Sequence, residues 1–506
     1  MSVEYKSQPT DTLAVDAPSN RVVGGATLLR HTSFYVLGRL ATGAVGLITL
    51  AAFTRVMAPS DYGRYTVIIA IVSLIAALGF QWLRQGLLRF GTRADGDRVV
   101  LLGTLGLLFP ALAGATVVIA VFLGWAGGIF HLHVSQAELA VICCLTIAQA
   151  WFELAIDAAR TEFKPWRYSV ATFVRALLCL IFGVAAAVLT HEVFLVVLGM
   201  AAGYMVASLI AAPRWLSGLL RVNAATWQEA ARLATYGLPL SATLGMTFVL
   251  DSADRLMLAG MRDYTEAGVY ASAYNLAQFS IGTVLAGLGL GSLPLAVGAF
   301  RDANPQRAKS LLERNLLLGV GLGLPAVVGL AITAPVLDRL LLGNFVAGRS
   351  DVVTIIIAAA IGLGALRSYC IDVIFMLYRR TWLQGVVIGA SALLNVALNL
   401  FFIPRWGAIG AAVATLTSFA CALAGSWLLG RRVMKLLLPV KDVGKTVMAV
   451  GLMGLVVHGI LPSQGRWPSL ILSVICGALV YALIVIAADI AGSRARLVAL
   501  IRDRVG

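Results

Sequence analysis

Ionisable side chains are scarce in this 506-residue chain, and several of them stand inside apolar runs. Arg39, Arg84, Arg175 and Arg367 are each embedded among aliphatic residues. A charge at bilayer depth costs roughly 2.5–3.5 kcal/mol on insertion scales, so such groups face a bundle interior or a water-filled cavity. Arg39, Arg84 and Arg367 lack an acid at helical spacing; Asp372, five positions beyond Arg367, falls off its face of an α-helix. An unpaired guanidinium calls for an anion from elsewhere. Phosphate suits it, because arginine grips phosphate through bidentate, charge-assisted hydrogen bonds. The four arginines are therefore candidate contacts for an anionic head group, the alternative being interhelical pairing with Glu153, Asp157 or Asp372.

The acids suggest other roles. Glu153 and Asp157 share one helix face with like charge, which repels unless a cation or proton intervenes. They are the candidate coupling-ion pair, although Arg160 stands close enough in sequence to neutralise Asp157. In "VLDSADRLMLAG" (249–260), Asp251 precedes Arg255 by four residues, the favourable order for an ion pair, while Asp254 points elsewhere. With Arg55, which like Arg255 can snorkel to an interface, Asp251, Asp254 and Arg255 form a candidate gate or structural charge set. Trp82, Trp151, Tyr274 and Tyr369 interleave these charges and could stack on sugar rings or anchor helices. No catalytic constellation emerges. The five histidines are scattered, and His131 and His133 lack further ligands, so neither a metal site nor a resident cofactor is expected. "GLGLGS" (287–292) is a packing run of small residues rather than a phosphate loop, and all six cysteines fall in apolar spans.

The elements that must position these groups are membrane helices. The chain is 60% hydrophobic and 12% charged, with a mean hydropathy of +0.90, against about 25% charged residues in ordinary globular proteins. Runs long enough to cross a ~30 Å hydrocarbon core recur along it. Fourteen spans are expected, at 33–57, 65–89, 99–124, 137–159, 168–190, 193–213, 236–260, 268–298, 314–334, 352–378, 382–403, 407–429, 444–462 and 469–490. Arg and Lys crowd alternate loops, as the positive-inside rule requires, which places both termini in the cytoplasm. The same bias accounts for the net charge of +15 without invoking nucleic acid.

A repeat divides the chain. "RVMAPSDYGRY" ends the first span with Arg55, Asp61, Tyr62, Gly63 and Tyr65; "RLMLAGMRDYTEAGVY" ends the seventh with Arg255, Asp263, Tyr264, Gly268 and Tyr270. Six spans separate the copies, which predicts two parallel six-helix lobes around a central cavity, with two extra C-terminal helices. The expected organisation is a disordered cytoplasmic tail (1–30), a first lobe (31–213), an interfacial linker helix (214–235), a second lobe (236–430), two further spans (431–490) and a basic amphipathic tail (491–506).

Three stretches carry a resemblance: "TRVMAPSDYGRY" (54–65), "GLPL…LDSADRLMLAG…AGVYASAYNLA" (237–277) and "GALRSYCIDVIFMLYRRTW" (364–382). In their order and spacing the chain resembles the Wzx-type polysaccharide flippases. Their superfamily also holds the lipid II flippases and the multidrug and toxic-compound exporters. The resemblance implies a non-enzymatic flippase of a bacterial inner membrane that moves undecaprenyl-pyrophosphate-linked oligosaccharide by alternating access, for exopolysaccharide or lipopolysaccharide synthesis. Arg39, Arg84 and Arg367 then become pyrophosphate contacts. Membrane lipids, a polysaccharide polymerase and chain-length proteins are the implied partners, and a proton or sodium gradient the implied energy source. The competing expectation is a cation-coupled antiporter for a soluble small molecule, using Glu153 and Asp157. A glycan polymerase would need a larger outer loop than 335–351.

Overall fold

The computed structural model describes residues 25–92, 95–129, 136–162, 164–211, 216–301, 305–342, 350–437, 439–460, 467–490 and 494. Among these residues eleven helices are long and apolar enough to cross a membrane. Three further segments complete fourteen: the first helix, a helix that continues through a π turn over 264–301, and the second half of a helix pair that runs unbroken in hydrogen bonding over 381–433. In chain order they are α1 (Gly25–Val56), α2 (Pro59–Gly79, extended by a short helix Gln81–Phe90), α3 (Asp95–Ile129), α4 (Gln136–Thr161), α5 (Pro165–Thr190), α6 (Val193–Ala211), α7 (Trp227–Met261), α8 (264–301), α9 (305–342), α10 (Ser350–Leu377), α11 (381–406), α12 (408–433), α13 (Val440–Ile460) and α14 (Trp467–Ala487). The protein is an all-α, multi-pass membrane protein.

Local chemistry explains the boundaries. Pro59 opens α2, where its missing N–H costs nothing. Thr226 and Asp263 cap α7 and α8, each accepting from the backbone N–H of a glutamate three residues on, at 3.3 and 2.8 Å. Gly407, at φ +54 and ψ −131, turns α11 into α12 without a loop, a backbone shape only glycine adopts comfortably. Glu266 of α8 holds that turn by accepting from the Ala408 N–H at 2.6 Å, and Arg262 donates to the Ile403 and Pro404 carbonyls at 3.1 and 2.7 Å.

The helices gather as α1–α6 and α7–α12, with α13 and α14 packed on α9, where the Tyr481 hydroxyl donates to the Gly321 carbonyl at 2.5 Å. The lobes meet where α2 packs on α7 and α8. At the end away from the basic loops, the two repeat copies touch each other. A Cβ at Gly63 would overlap the Tyr264 carbonyl, and one at Gly268 would stand 2.8 Å from the Pro59 carbonyl and 3.1 Å from the Gly63 nitrogen. Two backbones can approach this closely only because both positions lack a side chain. Alongside, Arg55 donates to the Leu340 carbonyl at 2.5 Å and Thr54 to the Leu341 carbonyl at 3.1 Å. At the basic end Gln81–Phe90 lies on α7, with Gly86 against Leu233, Gly237 against Trp82, and Phe90 edge-on to Tyr236 with 5.6 Å between ring centroids.

Several expected boundaries move. Helix begins at Gly25, so the 1–30 tail is shorter than expected; residues 1–24, like His131, His133 and nearly all of 491–506, lie outside the described residues. The 214–235 segment is not one helix. It is a turn of helix at Leu216–Leu219, a 3-10 turn at Val222–Ala224 and then the first turns of α7. Its Leu219 and Arg221 carbonyls press on Gly106 and Gly103 of α3, so a regular helix has no room there. Replacing Gly63 by Ala should cost the α2–α8 contact about 1–3 kcal/mol, the usual penalty of overpacking. Spin labels on the exposed Ser60 and Thr265 would report it as a longer, broader distance distribution.

Candidate functional site

Three cavities share lining residues, two of them between the lobes and the third within the second lobe. The largest, about 570 Å³, lies among α1, α5 and the π turn of α8, with Thr42, Tyr168, Gln278 and Phe279 in its wall. One of about 170 Å³ shares Thr42 and Phe279 and adds Tyr62, Tyr65, Arg175 and Asn275. One of about 100 Å³ shares Gln278 and adds Asp251, Tyr274, Arg367, Ser368 and Tyr369. Two π turns therefore flank this chain of spaces, Gln278–Gly282 in α8 and Arg367–Ile371 in α10. Such turns insert an extra residue into a helix and re-aim the side chains beside it, often at functional sites.

The arginines divide sharply by environment. Arg84 is consumed by protein. Its guanidinium donates to Glu153 at 2.5 Å, to Asp157 at 2.8 Å and to Gln81 at 2.6 Å, and Arg160 reaches the other oxygen of the fully buried Asp157 at 3.1 Å. Arg84, an expected substrate contact, here takes the alternative of interhelical pairing. Glu153 and Asp157, the expected coupling-ion pair, are the acids that meet it. Arg84 relieves the like-charge repulsion between them and braces Gln81–Phe90 against α4. Arg367 is the opposite case. It is 5% exposed, and its Nε and Nη1 have no hydrogen-bond partner; Nη2 donates only to Ser368, at 3.3 Å. The π turn swings Asp372 onto its face after all, closed by the Asp372 N–H donating to the Arg367 carbonyl at 2.9 Å. Even so the carboxylate stays 3.8 Å away, too far for a hydrogen bond, and its other oxygen accepts from Ser426 at 2.7 Å.

Arg175 donates to the Tyr204 hydroxyl at 3.0 Å and lies over the Tyr204 and Phe152 rings at 5.0 and 5.7 Å, which fixes its plane at the cavity edge. Arg39 is in α1, but its side chain lies outside the described residues.

The span-seven charges do not form the expected pair. Arg255 is buried rather than snorkelling, donates to Asn275 Oδ1 at 3.3 Å and stacks on Tyr274 at 4.9 Å. Asn275 in turn donates to the Tyr62 hydroxyl at 3.2 Å, which carries the contact into the first lobe. Among the described residues no ion pair joins Asp251 to Arg255. Asp254, fully buried, accepts from Tyr270 and Asn399 and, at 2.8 Å, from Thr415, tying α7, α8, α11 and α12 together. Sequence reading passed over Asn275, Gln278, Asn395 and Asn399. Their signal was available: Asn395 and Asn399 repeat at i,i+4 in an apolar run, and Asn275 and Gln278 at i,i+3.

The profile of a family described as "Polysaccharide biosynthesis protein" matches residues 52–345. The chain belongs to that family. The match covers two of the three stretches that carry the resemblance and the whole α2–α8 contact. Among solved structures, "Lipid II flippase MurJ, inward closed conformation" aligns with a TM-score of 0.73 and 13% identity, covering 90% of this chain and 98% of that one. An outward-facing multidrug resistance MATE family transporter of the MOP superfamily aligns at 0.54 and 15% identity, over 82% and 98%. The MATE multidrug transporter DinF-BH aligns at 0.51 and 15%, over 85% and 99%. These likenesses concern the fold alone. No curated protein sequence matches the chain.

Arg84→Ala would leave the half-buried Glu153 without its cation and the buried Asp157 with Arg160 alone, and should destabilise the protein by up to about 3–5 kcal/mol, the usual cost of breaking a buried pair. Asp157→Asn in the same chain should restore part of the loss. Arg367→Ala removes a guanidinium whose nearest acid, Asp372, stands 3.8 Å away without a hydrogen bond, so its melting temperature should fall less than that of Arg84→Ala. Thermal unfolding of the purified variants in detergent separates these outcomes.

Proposed function

We propose that this protein is a flippase for a lipid-linked oligosaccharide, moving a polyprenyl-diphosphate-linked repeat unit from the cytoplasmic to the outer leaflet of a bacterial inner membrane. The observation that carries the reading is Arg367, a buried guanidinium with two nitrogens free of hydrogen bonds on a cavity of the second lobe that shares Gln278 with the space between the lobes. A diphosphate supplies the acceptors that the protein withholds, in the bidentate geometry arginine prefers. Arg175, at the neighbouring cavity, is the second cation along the same path.

Membership of a polysaccharide biosynthesis family supports a glycan cargo. Tyr62 and Tyr65 beside Arg175 line the cavity with the flat aromatic rings that sugars pack on. The space between α1, α5 and α8 is wide enough to admit a head group while its lipid tail remains in the bilayer. In this reading the basic end faces the cytoplasm, both termini lie on that side, and the lobes rock about the α2–α8 contact. Membrane lipids surround the bundle, and a polymerase with its chain-length partner takes the product. Export of a soluble cation is the poorer reading, because Glu153 and Asp157 are already occupied by Arg84 and Arg160.

Arg367→Ala in a cell that depends on this protein should abolish surface polysaccharide and accumulate lipid-linked repeat units accessible to a probe on the cytoplasmic face. Normal polysaccharide with undiminished turnover of the lipid carrier would overturn the proposal.

A further inference from the structure

Asp251 is the acid in the cavity that the transport reading leaves without a task. It projects from α7, half-buried, and shares the cavity of about 100 Å³ with Arg367 of α10. The two charges act on each other, yet among the described residues no ion pair closes between them. Both side chains line this one space, which is large enough to hold water or a small anionic group.

Its neighbours hold Asp251 only lightly. The Tyr274 side chain shares the cavity with it from α8 and carries no charge to answer it. Arg255, its partner by sequence spacing, is turned to Asn275 and the Tyr274 ring. Asp254 is held by Tyr270, Asn399 and Thr415 and belongs to the packing of the second lobe. Asp372 is a poor alternative counter-ion for Arg367. It rides on the same helix, is bound to Ser426, and remains at 3.8 Å. Asp251 sits on a different helix, so a small shift of α7 against α10 can bring it to Arg367 or withdraw it.

A carrier that works by alternating access must also return empty, and a buried guanidinium short of hydrogen-bond acceptors makes that step costly. We propose that Asp251 is the internal counter-anion of Arg367. It neutralises the guanidinium in the empty carrier and yields it to the diphosphate, so loading exchanges one anion for another. The inference rests on the lipid-diphosphate reading of this cavity. Asp251 is a positioning residue in this scheme, acting on the substrate through Arg367. Its like charge weakens the hold on the diphosphate and speeds release.

The test uses the full-length protein and inorganic pyrophosphate as probe, followed by transport of a short-chain prenyl-diphosphate sugar in proteoliposomes. Asp251→Asn should bind pyrophosphate about tenfold more tightly than wild type, while lowering both KM and kcat for transport by about fivefold or more. Asp251→Glu, which keeps the charge, should stay near wild type in both measurements. A purely structural role would weaken binding in both variants and lower their melting temperatures together. Unchanged or weaker binding by Asp251→Asn, or an unchanged kcat, overturns the counter-anion role while the diphosphate reading stands. Failure of wild type and Asp251→Asn alike to bind pyrophosphate overturns the diphosphate reading itself, and the counter-anion role with it.

Discussion

A charge taken out of water must be answered by another group, and that constraint orders the interior of this protein. Where the answer comes from within the chain, the charge becomes structure: Arg84 joins α4 to the extension of α2 through Glu153 and Asp157. Where it does not, the charge stays available for a ligand, as at Arg367. The same residue type in the same solvent thus serves two purposes, and the distinction lies in the neighbours. Asp254 is a third solution, a carboxylate satisfied by hydroxyl and amide donors of three other helices.

The fold keeps its spaces in the middle by bringing the lobes together at both ends. Glycines do this at one end, where the backbones of α2 and α8 touch, and at the other, where Gly237 meets the Trp82 backbone and Gly86 the Leu233 side chain. Between them the helices lose α-helical regularity, and the π turns of α8 and α10 put Gln278 and Arg367 on the cavity wall. The link from Arg255 through Asn275 to Tyr62 crosses the lobe boundary beside these spaces. A change in cavity charge therefore has a short path to the contact about which the lobes would move.

The fourteen spans, the lobes and the G-x-Y repeat were legible because each depends on hydropathy or on local spacing. The charge partners were not. Glu153 lies 69 residues from Arg84, and no local pattern announces a contact made between helices. Asp251 and Arg255 illustrate the reverse error, since correct spacing for an ion pair does not oblige a side chain to choose it over an amide and an aromatic face. Arg367 and Asp372 failed for a geometric reason. Five residues apart is off-face on an α-helix but on-face across a π turn, and the π turn leaves no mark in the composition of "RSYCI". The 214–235 segment has an amphipathic composition, but the glycines of α3 draw its carbonyls inward and break the helix.

The contact between Gly63 and Gly268 also limits how far the two halves can diverge. The two glycines occupy the same place in the two copies of the motif, and each copy packs on the other. A contact in which a residue meets its own equivalent is self-complementary, the kind a symmetric dimer makes. Elsewhere the halves differ: the first keeps Arg84 paired, and the second leaves Arg367 open. At this contact the two halves remain bound to each other's sequence: neither glycine can acquire a side chain unless the opposite backbone gives way.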